Sequence, residues 1–166
     1  FQNLVLVDPK WAFAETMDGA TNIDNITINI PFKGDCNHMF HRALYLTTIP
    51  SNFTFTGITD ISYMFNNCSK LIATPEIDCH LVTDCTSFAG NCPELVTVGA
   101  LNGLGESLTK GGVLYFAQSP NLSTDSLQTI AESIGECIFS DSFISFKSTA
   151  YDKLTDEQKS LITSKN

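Results

Sequence analysis

The stretch that decides the fold is Thr59-Asp60-Ile61-Ser62-Tyr63-Met64-Phe65-Asn66-Asn67-Cys68-Ser69-Lys70-Leu71. The same pattern recurs without gaps at residues 34–46 and 83–95. A weaker copy precedes these three and a degenerate copy follows them, at Phe13, Met17 and Ala20 and at Tyr115, Phe116, Ser119 and Leu122. A fixed period of this length is typical of repeat proteins, because one copy can bury its apolar residues only against its neighbours. The sequence therefore predicts about five stacked copies.

Each copy contains two patterns of apolar residues. The first has the i, i+3, i+4, i+7 spacing of a helix face, as in Ile61, Met64, Phe65 and Cys68. An aspartate stands where an N-cap carboxylate would accept hydrogen bonds from the open amides of that helix, at Asp35, Asp60 and Asp84. The second pattern alternates as in a strand with one buried face, at Ile28 and Ile30, Phe53 and Phe55, and Ile77 and Cys79. Stacking would align like residues in ladders, one of Ala43, Cys68 and Cys92 and another of Ile30, Phe55 and Cys79.

We therefore predict an α/β repeat fold, a leucine-rich-repeat-like solenoid of about five short coils over residues 1–122. Residues 123–166 depart from the repeat. They predict a helix at 123–135 with Ser123 or Thr124 as its N-cap and Gly135 as its end. They also predict a strand at 143–146 and a last helix from Thr155 with a capping box to Gln158. The first of these helices has an apolar face of Leu127, Ile130, Ala131 and Ile134. Because repeat arrays need atypical ends, we assign 123–166 as a helix-strand-helix cap of the same domain.

Composition argues against several classes of partner. The chain of 166 residues is 43% hydrophobic and 16% charged, which is typical of one folded globular domain. Its formal net charge of −9, without a cluster of Lys and Arg, argues against nucleic acid and anionic lipid. No apolar run reaches the roughly 20 residues needed to cross a bilayer, so no direct membrane insertion is expected. The chain begins at Phe1 without a signal-peptide pattern, and we expect the native targeting signal to lie outside it.

Cysteine and histidine are the usual ligands of a zinc site. The candidate ligands in this sequence are Cys36, His38, His41, Cys79 and His80. In the repeat register, Cys36 matches Ile61, and His41 matches Asn66 and Gly90. Metal ligands are not expected at positions that other copies fill in this way. We therefore predict no metal and no cofactor.

The sequence also predicts no catalytic residue. Cys68, Cys79 and Cys92 occupy inward apolar positions instead of the electropositive setting that activates a thiol. Cys36 and Cys85 hold the same position two copies apart, too far for a disulfide. No Gly-x-Ser-x-Gly or His-Glu-x-x-His motif occurs, and we predict a protein that is not an enzyme. A glycosidase pair of dispersed carboxylates stays open as an alternative.

Four Asn-x-Ser/Thr sequons occur, at Asn25, Asn52, Asn67 and Asn121. They would carry glycans in a secreted eukaryotic protein, whereas in a bacterial or phage protein they are chance matches. A glycan on Asn67 is disfavoured because the next residue is the inward Cys68.

The pattern Ile61-x-x-Met64-Phe65-x-x-Cys68-x-x-Leu71-x-x-Thr74-Pro75, followed by Leu81-Val82-Thr83-Asp84, resembles the BspA-like leucine-rich repeats of surface proteins from Bacteroides and related bacteria. The ending, from Leu122-Ser123-x-Asp125-Ser126-Leu127 to Leu154-Thr155-Asp156-Glu157-Gln158-Lys159, is similar to the tail of such proteins, including some carried by phages. The resemblance covers residues 34–98 and most of the tail. It implies extracellular attachment to host proteins, matrix proteins or glycans.

We therefore predict a non-enzymatic adhesion module, displayed outside the cell or at its surface, that recognises a protein or glycan ligand. Two alternatives come from other classes: a phage tail or virion component, structural or receptor-binding, and an unrecognised carbohydrate-active enzyme. The first copy lacks the Met-Phe pair and a long insertion follows Leu95, so no ligand-binding residue carries over from the family.

Overall fold

The computed structural model describes residues 6–14, 29–109, 113–135 and 143–164. In chain order its elements are β1 (Leu6–Val7), β2 (Ile30–Asp35), β3 (Phe53–Asp60), β4 (Ile77–Asp78), β5 (Leu101–Asn102), β6 (Val113–Phe116), α1 (Thr124–Ser133), β7 (Phe143–Phe146), α2 (Ser148–Tyr151) and α3 (Asp156–Thr163). The strands form three separate sheets, ordered β1-β2-β3, β4-β5 and β6-β7. All pairs of neighbouring strands in these sheets are parallel.

The segment after each aspartate is a pair of tight turns, and the helix predicted there is wrong. In the second copy, Met39 donates its N–H to the Cys36 carbonyl and Ala43 donates to the Phe40 carbonyl. The third residue of each turn, His38 or Arg42, has a φ of 56°, which an α-helix does not allow. Equivalent positions in the other copies also have positive φ, at Trp11, Tyr63, Asn67, Ser87 and Asn91. Two successive turns and one helix give the same spacing of apolar residues, and the sequence pattern did not separate them.

Aspartates begin these turns. The carboxylates of Asp35, Asp60 and Asp84 accept the backbone N–H two residues further on, at 2.9, 2.7 and 2.9 Å. Satisfying open amides is the role that the sequence predicted for them. They do so as Asx-turns and not as helix caps.

Backbone amides within the turns bind the following copy. Alternate residues from Cys36 to Arg42 donate their N–H groups to the carbonyls of alternate residues from Asp60 to Asn66, at 2.8–3.0 Å. Residues 61–67 donate in the same way to residues 84–90. These bonds pair buried peptide groups that would otherwise destabilise the fold, and they hold successive copies in register.

The predicted fold class, an α/β leucine-rich-repeat-like solenoid of about five short coils with a helix-strand-helix cap, is wrong. The strands form three small sheets instead of one sheet through all copies, and all helices of the described residues follow residue 123. Two features lie beside the break between β3 and β4. The Gly57 backbone, with a φ of 63°, lies near the Asp78 carboxylate, and Pro75 has no N–H to donate to a neighbouring strand.

One predicted ladder of inward residues is also wrong. Ile30 pairs with Phe53, and Phe32 pairs with Phe55, so Ile30 and Phe55 do not share a ladder. The register shifts between Phe32 and Asp35, because β3 has extra residues there that a bulge absorbs.

The core of the repeat region is a row of phenylalanines. Phe13, Phe40, Phe65 and Phe88 follow one another with ring centroids 5.1, 5.2 and 5.4 Å apart. Buried thiols lie beside this row, and Cys68 and Cys92 donate to the Phe40 and Phe65 carbonyls at 3.0 and 3.1 Å. The five cysteines in the described residues are not in disulfides, and burial raises the pKa of Cys92 to about 12. These cysteines therefore act as packing residues.

The elements predicted after residue 122 are individually confirmed. Ser123 caps α1, β7 spans Phe143–Phe146, and Thr155 and Gln158 form the capping box of α3. The end of α1 differs, because Ile134 is its C-cap and Gly135 instead donates to the Leu104 carbonyl at 2.8 Å. The helices in the described part of the chain are all too short or too polar to cross a membrane. It stays a prediction that residues 1–122 and residues 123–166 are two segments of a single domain.

Candidate functional site

An aromatic column lies on the turns of the first three described copies. The Trp11 indole stacks on the His38 imidazole with ring centroids 4.0 Å apart and 15° between the planes. His38 stacks in turn on the Tyr63 phenol at 4.7 Å and 17°. Trp11 is 50% exposed, and the other two side chains are half-buried. We call Trp11, His38 and Tyr63 the aromatic column.

The backbone of the aromatic column is strained. Trp11, His38 and Tyr63 have φ values of 57°, 56° and 56°, a region that costs a bulky residue roughly 1–2 kcal/mol. Turn positions of this kind favour glycine or asparagine, and the second turn of the later copies does use Asn67 and Asn91. The turn itself does not require an aromatic side chain. Three successive aromatic residues at a costly position therefore point to a role for the exposed rings.

Polar side chains flank the aromatic column on one side. The His41 ring lies edge-on to Trp11 and His38, with centroids 5.7 and 4.9 Å away. In the third and fourth copies, Asn91 Nδ2 donates to Asn67 Oδ1 at 2.6 Å, and Asn67 Nδ2 donates to Asn66 Oδ1. We call Asn66, Asn67 and Asn91 the asparagine chain. The aromatic column, His41 and the asparagine chain together form the recognition face.

None of the seven side chains that define the recognition face is a carboxylate, although the chain contains 18 Asp and Glu residues. Burial in the column lowers the pKa of His38, and the nearby Asp60 opposes this effect only in part. These seven side chains combine aromatic carbon with polar donors and acceptors. The exposed Arg42 holds the turn position of Asn67 in the second copy and places a cation next to the asparagine chain.

A groove elsewhere in the molecule is the second candidate site. Its cavity of about 590 Å³ is lined by residues that include His80, Asp78, Glu106 and Glu132. His80 Nδ1 lies 2.7 Å from Asp78 Oδ1, and its Nε2 lies 4.0 Å from Glu106 Oε1. The imidazole sits against Gly103, where a Cβ would lie 2.4 Å from the ring. The sequence indicated His80 only as a candidate metal ligand, and no pattern in it indicated the contacts of His80 with Asp78 and Glu106.

The groove holds an oriented histidine, and the hydroxyl side chains near it are bonded to the backbone. A histidine held by a carboxylate is the usual arrangement of a general base. The two nearby hydroxyls in the described residues are both bound to the backbone. Ser107 Oγ donates to the His80 carbonyl at 2.6 Å, and Ser133 Oγ donates to Ile130 O at 3.2 Å and accepts from Leu101 N at 3.0 Å. These two hydroxyls are therefore not placed as nucleophiles for His80.

The five residues considered as metal ligands do not come together. His38 and His41 lie on the recognition face, whereas His80 lies in the groove, and Cys36 and Cys79 are fully buried. Across residues 6–14, 29–109, 113–135 and 143–164, no group of three or more His, Cys, Asp or Glu side chains could hold a metal ion.

The asparagine side chains of the sequons at Asn67 and Asn121 make hydrogen bonds within the protein. Asn67 is the middle residue of the asparagine chain, and Asn121 Nδ2 donates to the Pro93 carbonyl at 3.2 Å. Asn52 is half-buried, and Asn25 lies outside the described residues.

Comparison with known proteins yields no relative: no protein-family model, curated protein or solved structure matches the chain. The function is therefore inferred from the site itself. The sequence did hold one signal for the recognition face, because His38 and Tyr63 share a register position in adjacent copies.

Two histidines are expected to titrate on opposite sides of the ordinary pKa of 6.5. The hydrogen bond to Asp78 raises the pKa of His80, and burial lowers that of His38. NMR titration of the imidazole protons should give a higher midpoint for His80. Because its folded pKa is raised, His80 stabilises the fold below about pH 6.5, and this effect disappears as the pH rises through the folded value. Equal midpoints for the two residues would contradict these environments.

Proposed function

We propose that this chain is a non-enzymatic binding module that recognises a host protein, matrix or glycan ligand through its recognition face. The observation that carries the proposal is the aromatic column, in which Trp11, His38 and Tyr63 occupy a strained turn position that the fold does not need to fill with rings. Exposed aromatic residues with few rotatable bonds are common anchors of binding surfaces.

Preorganisation supports binding as the role of this face. The rings are already held by stacking, and the amides of Asn66, Asn67 and Asn91 are already aligned by hydrogen bonds. A ligand would therefore immobilise few additional side chains, which lowers the entropic cost of association.

Display outside the cell or at its surface is part of the proposal. It is supported by the resemblance of the Met64-Phe65 repeat motif to BspA-like surface proteins. The net charge of −9 is also consistent with a protein or glycan partner and argues against nucleic acid.

Removal of either end ring of the aromatic column is expected to weaken ligand binding. Trp11→Ser and Tyr63→Ser keep the turn, because the fourth copy carries Ser87 at this position with a φ of 53°. Loss of an aromatic anchor costs about 2 kcal/mol or more, so each variant should weaken the dissociation constant roughly 30-fold. The wild type is first screened on arrays of glycans and matrix proteins, and dissociation constants are then measured by biolayer interferometry.

The matched control is Tyr45→Ser, because Tyr45 is 43% exposed and lies outside the recognition face. It should bind like the wild type. A ligand whose affinity is unchanged in both Trp11→Ser and Tyr63→Ser would exclude the recognition face as its site.

A further inference from the structure

The aromatic column is one ring shorter than the row of turns that carries it. In the fourth copy the equivalent residue is Ser87, whose φ of 53° gives its side chain the same direction as those of His38 and Tyr63. The phenol of Tyr63 stacks on His38 on one side, and no aromatic ring of the described residues stacks on its other side. A serine side chain is too small to cover a phenol ring. A further ring of the column would therefore lie beside Tyr63 and above Ser87. We call this space the step.

The surroundings of this step are small and polar. Gly90 has no side chain, and the amide of Asn66 lies across it, 2.8 Å from where a Cβ would be. Asn91, an exposed residue in the same copy as Ser87, starts the asparagine chain. Within the asparagine chain, Asn66 Nδ2 is the end donor group and Asn91 Oδ1 is the end acceptor group. Asn91 is exposed, so a ligand at the step can reach this end of the chain.

We propose that a neutral sugar ring of the ligand occupies this step, stacks on Tyr63 above Ser87 and so takes the place of the missing fourth ring. The inference rests on the proposed function and names the ligand class of the same face. The C–H face of a pyranose packs on an aromatic ring, while its rim of hydroxyl groups both donates and accepts hydrogen bonds. Asn66 and Asn91 offer the matching groups beside the step. A protein ligand could also stack an aromatic side chain here, and the matrix-protein arm of the test below separates the two classes of ligand.

A substitution that fills the step with a side chain of the protein itself tests the proposal. Ser87→Tyr places in the fourth copy the residue that the third copy carries at the same backbone conformation. The variant should fold with a thermal midpoint close to that of the wild type, because stacking of the new ring on Tyr63 offsets the cost of a bulky residue at this φ. It should lose roughly 30-fold or more in affinity. The probes are immobilised neutral oligosaccharides of hexose and N-acetylhexosamine, with sialylated and sulfated glycans and matrix proteins as separate arms. Ser51→Tyr is the control, because Ser51 is exposed and lies outside the recognition face.

The outcomes separate this inference from the proposed function. Loss of neutral-glycan binding in Ser87→Tyr and in Tyr63→Ser, with Ser51→Tyr unchanged, would support the sugar at the step. Glycan binding that survives Ser87→Tyr but is lost in Trp11→Ser would overturn the inference and leave the recognition face as the binding site. Binding of charged glycans or matrix proteins alone would also overturn it. If Ser87→Tyr does not fold, Ser87→His is measured instead, since the second copy carries His38 at this position.

Discussion

Ile130→Asp is expected to unfold the protein. Ile130 is fully buried in α1, and this helix is tied to the repeat region by polar contacts as well as apolar packing. Ser126 Oγ accepts the Val98 N–H at 2.6 Å, and Ser133 Oγ accepts the Leu101 N–H at 3.0 Å. The substitution removes an apolar side chain worth about 2–5 kcal/mol and places an unpaired carboxylate among apolar atoms. Together these costs approach the whole stability of a typical domain, about 5–15 kcal/mol.

Thermal melting followed by tryptophan fluorescence measures this effect. Trp11 is the single tryptophan and lies in the first described copy, far from Ile130 in the chain. A loss of its native signal would show that damage in α1 unfolds the repeat region as well. The control is Glu132→Lys, on the exposed side of the same helix, which should change stability by no more than about 0.5 kcal/mol.

Truncation after Leu122 extends the same test to the whole C-terminal segment. The shortened chain should unfold or aggregate, because it loses the β7 strand that pairs with β6 and the helix that covers residues 96–104. A truncated chain that stays monomeric and melts near the full-length midpoint would show that residues 123–166 are not part of one domain with residues 1–122.

Phe65→Ala is expected to cost about 3–5 kcal/mol of unfolding free energy. Phe65 is fully buried between Phe40 and Phe88, with ring centroids 5.2 and 5.4 Å away. Its removal leaves a cavity in the middle of the phenylalanine row, and neighbours held by hydrogen bonds between copies cannot collapse into it. Urea unfolding measures the change. Tyr63→Ser is the matched comparison, since it removes a ring of similar size from the half-buried aromatic column and should cost less. A cost below about 1 kcal/mol for Phe65→Ala would contradict the core described above.

Local signals in the sequence predicted the C-terminal elements well. The caps at Ser123 and Thr155 depend on side chains within three residues of each other, so nothing distant can override them. The repeat region was harder to predict. Its apolar spacing fits a helix and two successive turns equally well, and the positive φ values at His38 and Arg42 and the hydrogen bonds from Met39 and Ala43 three residues back distinguish them. Beside the break between β3 and β4, Gly57 lies near Asp78, 21 residues away in the sequence, and local patterns do not show such a contact.

The recognition face could not be predicted in full for a related reason. His38 and Tyr63 were aligned in the sequence, but an alignment does not show that a turn position faces outward or that its rings stack. Trp11 falls in the weak first copy, whose register with the other copies was uncertain from apolar residues alone. The backbone conformation shared by all three residues is what identifies them as one column.

The most direct test of the recognition face is NMR mapping of a bound ligand on ¹⁵N-labelled protein. The ligand is the compound that binds best in the array screen. We expect this ligand to shift the indole N–H signal of Trp11 and the side-chain amide signals of Asn66, Asn67 and Asn91, while signals from the groove around His80 do not move. Shifts confined to the groove, with the amide signals of the asparagine chain unchanged, would contradict binding at the recognition face.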